Sequence, residues 1–372
     1  MEYQVCSRCV MDNSSDDTIE FYPDGTCNYC NDAIARRDKV YFPNSEGRKK
    51  LESMIRFLKE QGRGKKFDCL MGISGGLDSS YLAYLGAKEW GLRILAIHID
   101  DGFDTEIAKQ NIENLCNKCN IELIVEKPPE EQYMDLIKAF IRSGVPGIAI
   151  PQDNIYQAYL RKYAMEYKIK YFLSGTNFAL ESILQRGNAH IAADEVHIRS
   201  IHKQFGEVPL TDLPLISIFD RYIGQKYINR IFTLRPLDFI DYNRERAIEE
   251  LRKNVGFDYY GGKHYESIFT KFVQVYYLPK KFGVDKRKSH FSSMIVSGQM
   301  TREDALNELK KPLYNEEQME KEISLILDKI GMSSAEFVSI MKEPGKSHYN
   351  YKVSSLTKFS NIARKFRRFL GE

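Results

Sequence analysis

The sequence has no apolar run long enough to cross a membrane, no low-complexity tract and little excess of either charge. Nowhere do about 18 apolar residues follow one another, as a membrane-spanning helix requires, and the opening residues MEYQVCSRC do not pair a basic start with an apolar stretch. We therefore expect a cytoplasmic protein without a membrane span. The 54 basic and 51 acidic residues leave a net charge of +3, so overall charge gives no reason to expect a nucleic-acid partner.

Cysteine is scarce, but its spacing is informative. Six of the seven cysteines form Cys-x-x-Cys pairs, and the seventh, Cys69, lies in an apolar run. Seventeen residues separate the pair Cys6/Cys9 from the pair Cys27/Cys30, a spacing typical of a zinc site with four thiolate ligands. Because four ligands close the coordination shell, we expect this Zn²⁺ to be structural. Two disulfides or free thiols are the alternative.

The third pair, Cys116/Cys119, lies in the helical-looking stretch QNIENLCNKCN with no second pair nearby. We expect a structural role for it. A redox or sulfur-carrying role is the alternative, because a Cys-x-x-Cys motif can lower the pKa of a thiol.

The segment KFDCLMGISGGLDSSYLAYLGAKEWG predicts a strand over 69–73, a glycine turn and a helix. Gly75 and Gly76 allow an anion to approach the backbone, and the free amides at a helix start favour phosphate. A carboxylate there would repel phosphate unless a divalent cation lay between them, so we interpret Asp78 as a Mg²⁺ ligand. The lysine of a Walker loop is absent. Three hydroxyls accompany the turn, those of Ser74, Ser79 and Ser80.

The motif SGGLDSS at 74–80 resembles the pyrophosphate loop of the PP-loop ATPase superfamily, whose members adenylate a substrate oxygen and release pyrophosphate. The resemblance implies ATP as cofactor and an α/β, HUP-like fold, with a parallel sheet covered by helices on both faces. It also implies that His98 and Asp100, at the end of the predicted strand ILAIHID, face the adenosine. Solvated side chains at a strand end are the alternative.

The segment YKIKYFLSGTNFALES repeats the order of strand, polar loop and helix. Gly175 and Thr176 are similar to a Gly-Thr segment of ammonia-using PP-loop enzymes such as NAD synthetase. In those enzymes a glutamate six residues after the glycine binds Mg²⁺, and Glu181 stands at that position. An exposed helix glutamate is the alternative.

Two polar segments are candidates for contacts with a substrate. The segment 185–207 is interpreted as a loop that binds a sugar or its phosphate; a solvated surface segment is the alternative. Its candidate ligands are Arg186, His190, Asp194 and His202. In the basic segment 280–290, Lys286 is interpreted as a cation that stabilises the triphosphate in the transition state. A solvated face or a nucleic-acid contact are the alternatives there.

The last third of the chain is predicted to be mainly helical. Helices are expected over 241–250, 301–309, 315–329 and 334–341, with capping residues at Thr301 and Ser333. The final stretch KFSNIARKFRRFL carries an apolar stripe opposite basic residues, which suits packing on the protein's own core or docking to a partner.

The whole pattern, from the first cysteine to about Lys311, resembles the N-acetyl sugar amidotransferase family. The resemblance implies ATP-dependent conversion of an acetamido group on a nucleotide-activated sugar into an acetamidino group, for O-antigen or other surface-glycan synthesis. It also implies a separate glutaminase subunit and a cyclase-like barrel subunit as partners. The expected domains are a zinc ribbon (1–45), a PP-loop ATP-binding domain (46–235) and a mainly helical substrate or partner region (236–372).

Two other functions are compatible with the motifs. A tRNA-thiolating PP-loop enzyme would use the zinc ribbon for RNA and Cys116/Cys119 for sulfur, but the chain has no long basic stripe. A nucleotide sensor without turnover would need the loop but not the magnesium ligands.

Overall fold

The computed structural model describes residues 2–14 and 16–357 and contains one parallel five-stranded sheet of order β3-β2-β1-β4-β5. The strands are β1 (Cys69–Gly72), β2 (Ile94–Ile99), β3 (Glu122–Glu126), β4 (Tyr171–Leu173) and β5 (Phe232–Leu234). The chain proceeds from β1 outward to β3 and then returns to β4 on the other side of β1. The strand order therefore reverses between β1 and β4, which opens a crevice at their carboxyl ends.

Helices cover both faces of this sheet. Because side chains alternate along a strand, Met71 and Ala96 enter one core while Leu70 and Leu95 enter the other. The first core holds residues of the helices α1 (Asn28–Val40), α2 (Ser45–Gln61), α3 (Leu77–Tyr84), α4 (Glu106–Cys119), α7 (Phe178–Glu181), α9 (Arg244–Val255) and α12 (Lys286–Ser297). This arrangement confirms the predicted fold class.

The second core is built mainly by helices from the middle and the end of the chain. These are α5 (Glu130–Ser143), α6 (Ile150–Glu166), α8 (Glu195–Phe205), α10 (Ile268–Phe272), α11 (Leu278–Phe282), α14 (Glu316–Ile330) and α15 (Ser334–Lys342). Helix α13 (Arg302–Leu309) follows α12. A π-helical segment, Asp220–Ile228, precedes β5. Among the described residues, no helix is both long and apolar enough to span a bilayer.

The predicted helices of the last third are present. Thr301 caps α13 by accepting the Asp304 amide, and Ser333 caps α15 by accepting the Glu336 amide. The predicted amphipathic stretch KFSNIARKFRRFL lies outside the described residues. Residues from all three predicted domains, among them Cys6, Ala83 and Leu251, share the first core, so the domain boundaries stay predictions.

Candidate active site

The glycine loop between β1 and α3 is held against α4. Gly75 has a φ of +74°, and a Cβ there would lie 2.5 Å from the backbone oxygen of Ala108, so the position requires glycine. At the start of α3 the Gly76 amide donates to Ser74 Oγ at 3.2 Å, and the Leu77 amide donates to the Tyr260 hydroxyl at 2.7 Å. A phosphate bound at this helix start would accept hydrogen bonds from these two amides.

Two carboxylates and one lysine meet beside this loop. Lys263 Nζ lies 2.7 Å from Glu181 Oε1 and 3.9 Å from Asp78 Oδ2. The Tyr242 hydroxyl donates to Asp78 Oδ1 at 2.5 Å, and the Asn177 amide group lies 3.4 Å from the same oxygen. Asp78 follows β1 and Glu181 follows β4, so the strand reversal brings the two predicted magnesium ligands together.

The two acids have different protonation equilibria. Burial, together with the charge of Glu181, raises the pKa of Asp78. Burial acts in the same direction on Glu181, but the adjacent Lys263 ammonium lowers the pKa of that carboxyl below its ordinary value. Two carboxylates that share one cation fit the oxygen ligands Mg²⁺ prefers, and such an ion would bind Asp78 and Glu181.

A cavity of about 920 Å³ opens over the crevice between β1 and β4. Eight of the residues predicted from the sequence to bind ATP or magnesium line it: Ser74, Gly76, Asp78, Ser79, His98, Gly175, Thr176 and Glu181. Its size suits a nucleotide-sized ligand, because small-molecule sites occupy roughly 300–1,000 Å³.

His98 has two partners in the cavity wall. Its Nδ1 lies 2.9 Å from the Ile73 carbonyl oxygen and its Nε2 lies 3.1 Å from Asp104 Oδ2. Although burial acts in the opposite direction, the Asp104 carboxylate raises the pKa of His98. Three residues predicted to bind ATP do not line the cavity, namely Gly75, Ser80 and Asp100. Asp100 pairs with Lys127 at 3.1 Å, and the Ser80 side chain is fully buried.

The sequence analysis did not identify two charged residues that lie beside the glycine loop. Lys263 and Glu266 come from the turn after Tyr260, and Glu266 Oε1 lies 3.4 Å from Ser74 Oγ. In this turn Gly261 and His264 have positive φ angles of 96° and 64°. The sequence Gly-Gly-Lys-His was the available signal, since it combines a flexible turn with a lysine and a histidine side chain.

Lys286, the cation predicted to stabilise the triphosphate, lies outside the cavity lining. It begins α12. Burial lowers the pKa of Lys286, although the charge of Asp16 acts in the opposite direction. The cation between the carboxylates is Lys263.

The four candidate ligands of the predicted substrate loop make contacts within the protein. Arg186 Nη2 donates to Asp32 Oδ2 at 2.9 Å, and His202 Nε2 lies 3.0 Å from Asp135 Oδ2. His190 Nε2 lies 3.0 Å from Asp194 Oδ2, with both side chains almost completely buried. None of the four candidate ligands lines the cavity. Instead, Arg186, His190 and His202 each pair with an acid, and Asp194 is the acid that pairs with His190.

The four amino-terminal cysteines converge. Their sulfurs lie within 4.8 Å of one another, with 3.7 Å between Cys6 and Cys30 and 3.6 Å between Cys9 and Cys27. Tetrahedral zinc with Zn–S bonds of about 2.3 Å places its sulfurs about 3.8 Å apart. The Cys27 amide also points to Cys6 Sγ at 3.3 Å, which stabilises a thiolate. The cluster therefore fits a four-thiolate metal site.

The third cysteine pair is packed inside the protein. Cys116 and Cys119 are buried in α4 and contribute to the first core. Burial raises the pKa of Cys116 to about 12 and also raises that of Cys119. Thiols with raised pKa values are poor nucleophiles at neutral pH.

Residues 266–365 match the family model described as LPS biosynthesis protein WbpG-like, C-terminal domain. The resemblance to a surface-polysaccharide family is confirmed. The WbpG-like region begins at Glu266, next to the loop that carries Lys263, and includes α10 to α15. Over 140 residues the chain is also 26% identical to the uncharacterized protein MJ1599 of Methanocaldococcus jannaschii, covering 37% of this chain and 47% of that protein. The chain thus spans less than half the length of this curated relative.

Three solved structures are distantly similar. The NH3-dependent NAD synthetase of Campylobacter jejuni is 16% identical, with 42% of this chain and 72% of that chain covered and a TM-score of 0.30. NMN synthetase of Francisella tularensis is 15% identical, with 57% and 94% covered and a TM-score of 0.30. The U34-tRNA thiolase NcsA of Methanococcus maripaludis is 14% identical, with 84% and 90% covered and a TM-score of 0.32.

Proposed function

We propose that this chain is the ATP-dependent synthetase subunit of an amidotransferase that converts the acetamido group of a nucleotide-activated N-acetyl sugar into an acetamidino group. The observation that carries the proposal is the meeting of Asp78, Glu181 and Lys263 beside a glycine loop at the strand reversal. The WbpG-like match gives the lipopolysaccharide context, and the cavity provides room for the substrates.

The chemistry begins by making the amide oxygen a leaving group. The acetamido oxygen attacks the α-phosphorus of ATP, the bond from that phosphorus to pyrophosphate breaks, and the amide nitrogen loses its proton. Ammonia then adds to the carbon of the resulting imidate, the carbon–oxygen bond to AMP breaks, and the amidine forms. Each ATP and ammonia therefore yields one amidine, one AMP and one pyrophosphate.

The residues of the site suit the first step. The loop amides at Gly76 and Leu77 would bind the phosphates by exchanging their present hydroxyl partners. The Lys263 ammonium would counter the charge that develops on the departing pyrophosphate. Magnesium on Asp78 and Glu181 would supply further neutralisation of phosphate charge. Zinc on Cys6, Cys9, Cys27 and Cys30 would stabilise the fold.

We further propose that ammonia comes from a separate glutaminase subunit, with a cyclase-like barrel subunit as a second partner. All seven cysteines are buried, so none presents an accessible thiol as the nucleophile that glutamine hydrolysis would use. Robust activity of the purified chain with glutamine in place of ammonia would contradict this proposal.

The competing function, tRNA thiolation, receives less support. Its sulfur carrier would be Cys116/Cys119, yet both thiols are buried and neither lines the cavity.

The deciding experiment supplies the purified chain with ATP, Mg²⁺, ammonium chloride and a panel of nucleotide-activated N-acetyl sugars. We expect a product in which one oxygen has been exchanged for NH, together with AMP. Asp78→Asn should lower the rate by at least about 100-fold, a loss typical for an electrostatic group of an active site. Asp212→Asn is the matched control and should stay active, because that carboxylate is exposed and does not line the cavity. AMP release that depends on tRNA instead of a sugar would overturn the proposal.

A further inference from the structure

The cavity has two walls of opposite charge. On the β2 side it is lined by acids, and Asp101, Asp104 and Glu266 are examples. On the β5 side it is lined by arginines, together with Gln225 and Thr233. These arginines are Arg161, Arg221 and Arg235. Among the described residues, neither the π-helical segment nor β5 contributes a carboxylate to the lining.

Two of these arginines have hydrogen-bonding capacity to spare. Arg221 Nη1 donates to Gln225 Oε1 at 2.8 Å, one turn further along the π-helical segment, and this is the one hydrogen bond of its side chain within the described part of the chain. The Arg235 side chain is exposed and makes none there. A guanidinium has five N–H donors, so most of the donors on this wall are available to a ligand.

The third arginine supports the wall. Arg161 Nη2 lies 3.2 Å from Asp220 Oδ1 and 3.3 Å from Asn229 Oδ1. These contacts join α6 to both ends of the segment that carries Arg221. Arg161 is therefore a positioning residue.

Arg161, Arg221 and Arg235 together form what we call the arginine wall. This wall lies beside the glycine loop and is not part of it. The Ser174 amide donates to the Leu234 carbonyl at 2.9 Å, so Arg235 follows β5 where the Gly175–Thr176 turn follows β4. β5 is two strands away from β1, a separation of about 10 Å at the usual strand spacing. An anion bound there would be a neighbour of the ATP phosphates.

We propose that Arg221 and Arg235 bind the diphosphate group of the second substrate while the glycine loop holds the phosphates of ATP. The inference rests on the proposed function, since a nucleotide-activated sugar carries a diphosphate between nucleoside and sugar. Guanidinium groups bind pairs of phosphate oxygens in a planar fork. Held at this wall, the substrate would extend its sugar toward Asp78 and Glu181, where the adenylation takes place.

Calorimetry on the full chain tests this assignment with two probes. The non-hydrolysable analogue α,β-methylene-ATP is titrated first, and inorganic pyrophosphate is then titrated with that analogue saturating. For the double variant Arg221→Gln/Arg235→Gln we expect pyrophosphate affinity to fall at least about tenfold, as the loss of charge-assisted hydrogen bonds implies. The analogue's affinity should stay within about twofold of wild type.

Arg230→Gln is the matched control, because Arg230 is exposed close to the same segment but does not line the cavity. Its pyrophosphate affinity should be unchanged. A loss of analogue affinity in the double variant would assign the arginines to ATP and overturn the proposal. So would a wild-type chain that binds no pyrophosphate beside the analogue, or an equal loss in the Arg230→Gln control. Neither titration requires turnover, so a failure of the proposed sugar chemistry would be seen separately, in the product assay.

Discussion

At the scale of single residues, Gly75 fixes the shape of the phosphate loop. We expect Gly75→Ala to cost at least about 3 kcal/mol of unfolding free energy, because a left-handed alanine is strained and its Cβ would meet the Ala108 backbone. Relief of that clash would displace the loop, so affinity for the ATP analogue should fall as well. Urea unfolding and calorimetry measure the two effects.

Gly64→Ala separates strain from collision. Gly64 has nearly the same φ, +75°, but no atom lies within 4 Å of the position of the added Cβ. It should cost about 1 kcal/mol and leave nucleotide affinity unchanged. Equal losses in the two variants would show that the contact with α4 is unimportant.

Lys263 is the residue whose charge the two acids share. Removing it in Lys263→Met should cost about 2 kcal/mol at pH 7 in the absence of magnesium, because two partly buried carboxylates lose their cation. Glu181 has a lowered pKa, so its paired form contributes stability above its ordinary pKa of 4.5 and loses that contribution as the pH falls. The difference between variant and wild type should therefore shrink on acidification below that value.

Thermal unfolding at several pH values measures this dependence. Lys127→Met serves as the control, since Lys127 pairs with Asp100 on the surface and its side chain is 74% exposed. A pH-independent difference for Lys263→Met would contradict the shared-cation interpretation.

The part of the site that lies within local motifs could be predicted from the sequence. The part that depends on long-range contacts could not. Asp78 and the loop glycines belong to one short turn, so the sequence shows their chemistry directly. Lys263 reaches the site only because a distant turn folds over the loop. A histidine that binds a ligand and one that pairs with a buried acid look alike in the sequence, so the sequence alone does not distinguish these two roles for His190 and His202.

At the scale of elements, the Asp194 carboxylate, which was predicted to bind substrate, connects two segments of the fold. This carboxylate accepts from the His197 amide at the start of α8, the Ser354 amide and the Thr357 hydroxyl. It thereby joins α8 to the segment after α15. We expect Asp194→Asn to cost about 2 kcal/mol, since buried donors would lose their acceptor, while the KM values for ATP and sugar stay within about twofold.

Chemical unfolding and steady-state kinetics test this together, with the exposed Asp212→Asn as control. A KM for the sugar raised at least about tenfold at unchanged stability would contradict this expectation and support the substrate-binding role predicted for Asp194.

Periodic elements were predictable to within a few residues, because hydrophobic spacing and caps are local. The strand predicted over 69–73 is observed as Cys69–Gly72, and the helix predicted over 315–329 as Glu316–Ile330. The π-helical segment Asp220–Ile228 is not among the elements predicted from the sequence. The arginine wall that depends on it was therefore not predicted.

At the scale of the whole molecule, the cysteine module is bound to distant helices. Arg302 of α13 donates to the carbonyl oxygens of Cys6 and Cys9 at 2.9 and 3.1 Å. The Val10 amide donates to Ser292 of α12 at 3.2 Å. Metal binding at the module should therefore be coupled to the stability of the entire chain.

Arg302→Ala tests this coupling without touching a ligand. In the wild type we expect zinc release, followed with a chromogenic chelator, to coincide with the loss of helical circular dichroism on heating, since the module and the helices unfold together. In Arg302→Ala the four thiolates remain, so one zinc should still bind. Its release should begin at a lower temperature than the main transition. Arg56→Ala, an exposed site on α2, should behave as wild type. Coincident transitions in Arg302→Ala would mean that core packing alone holds the module in place.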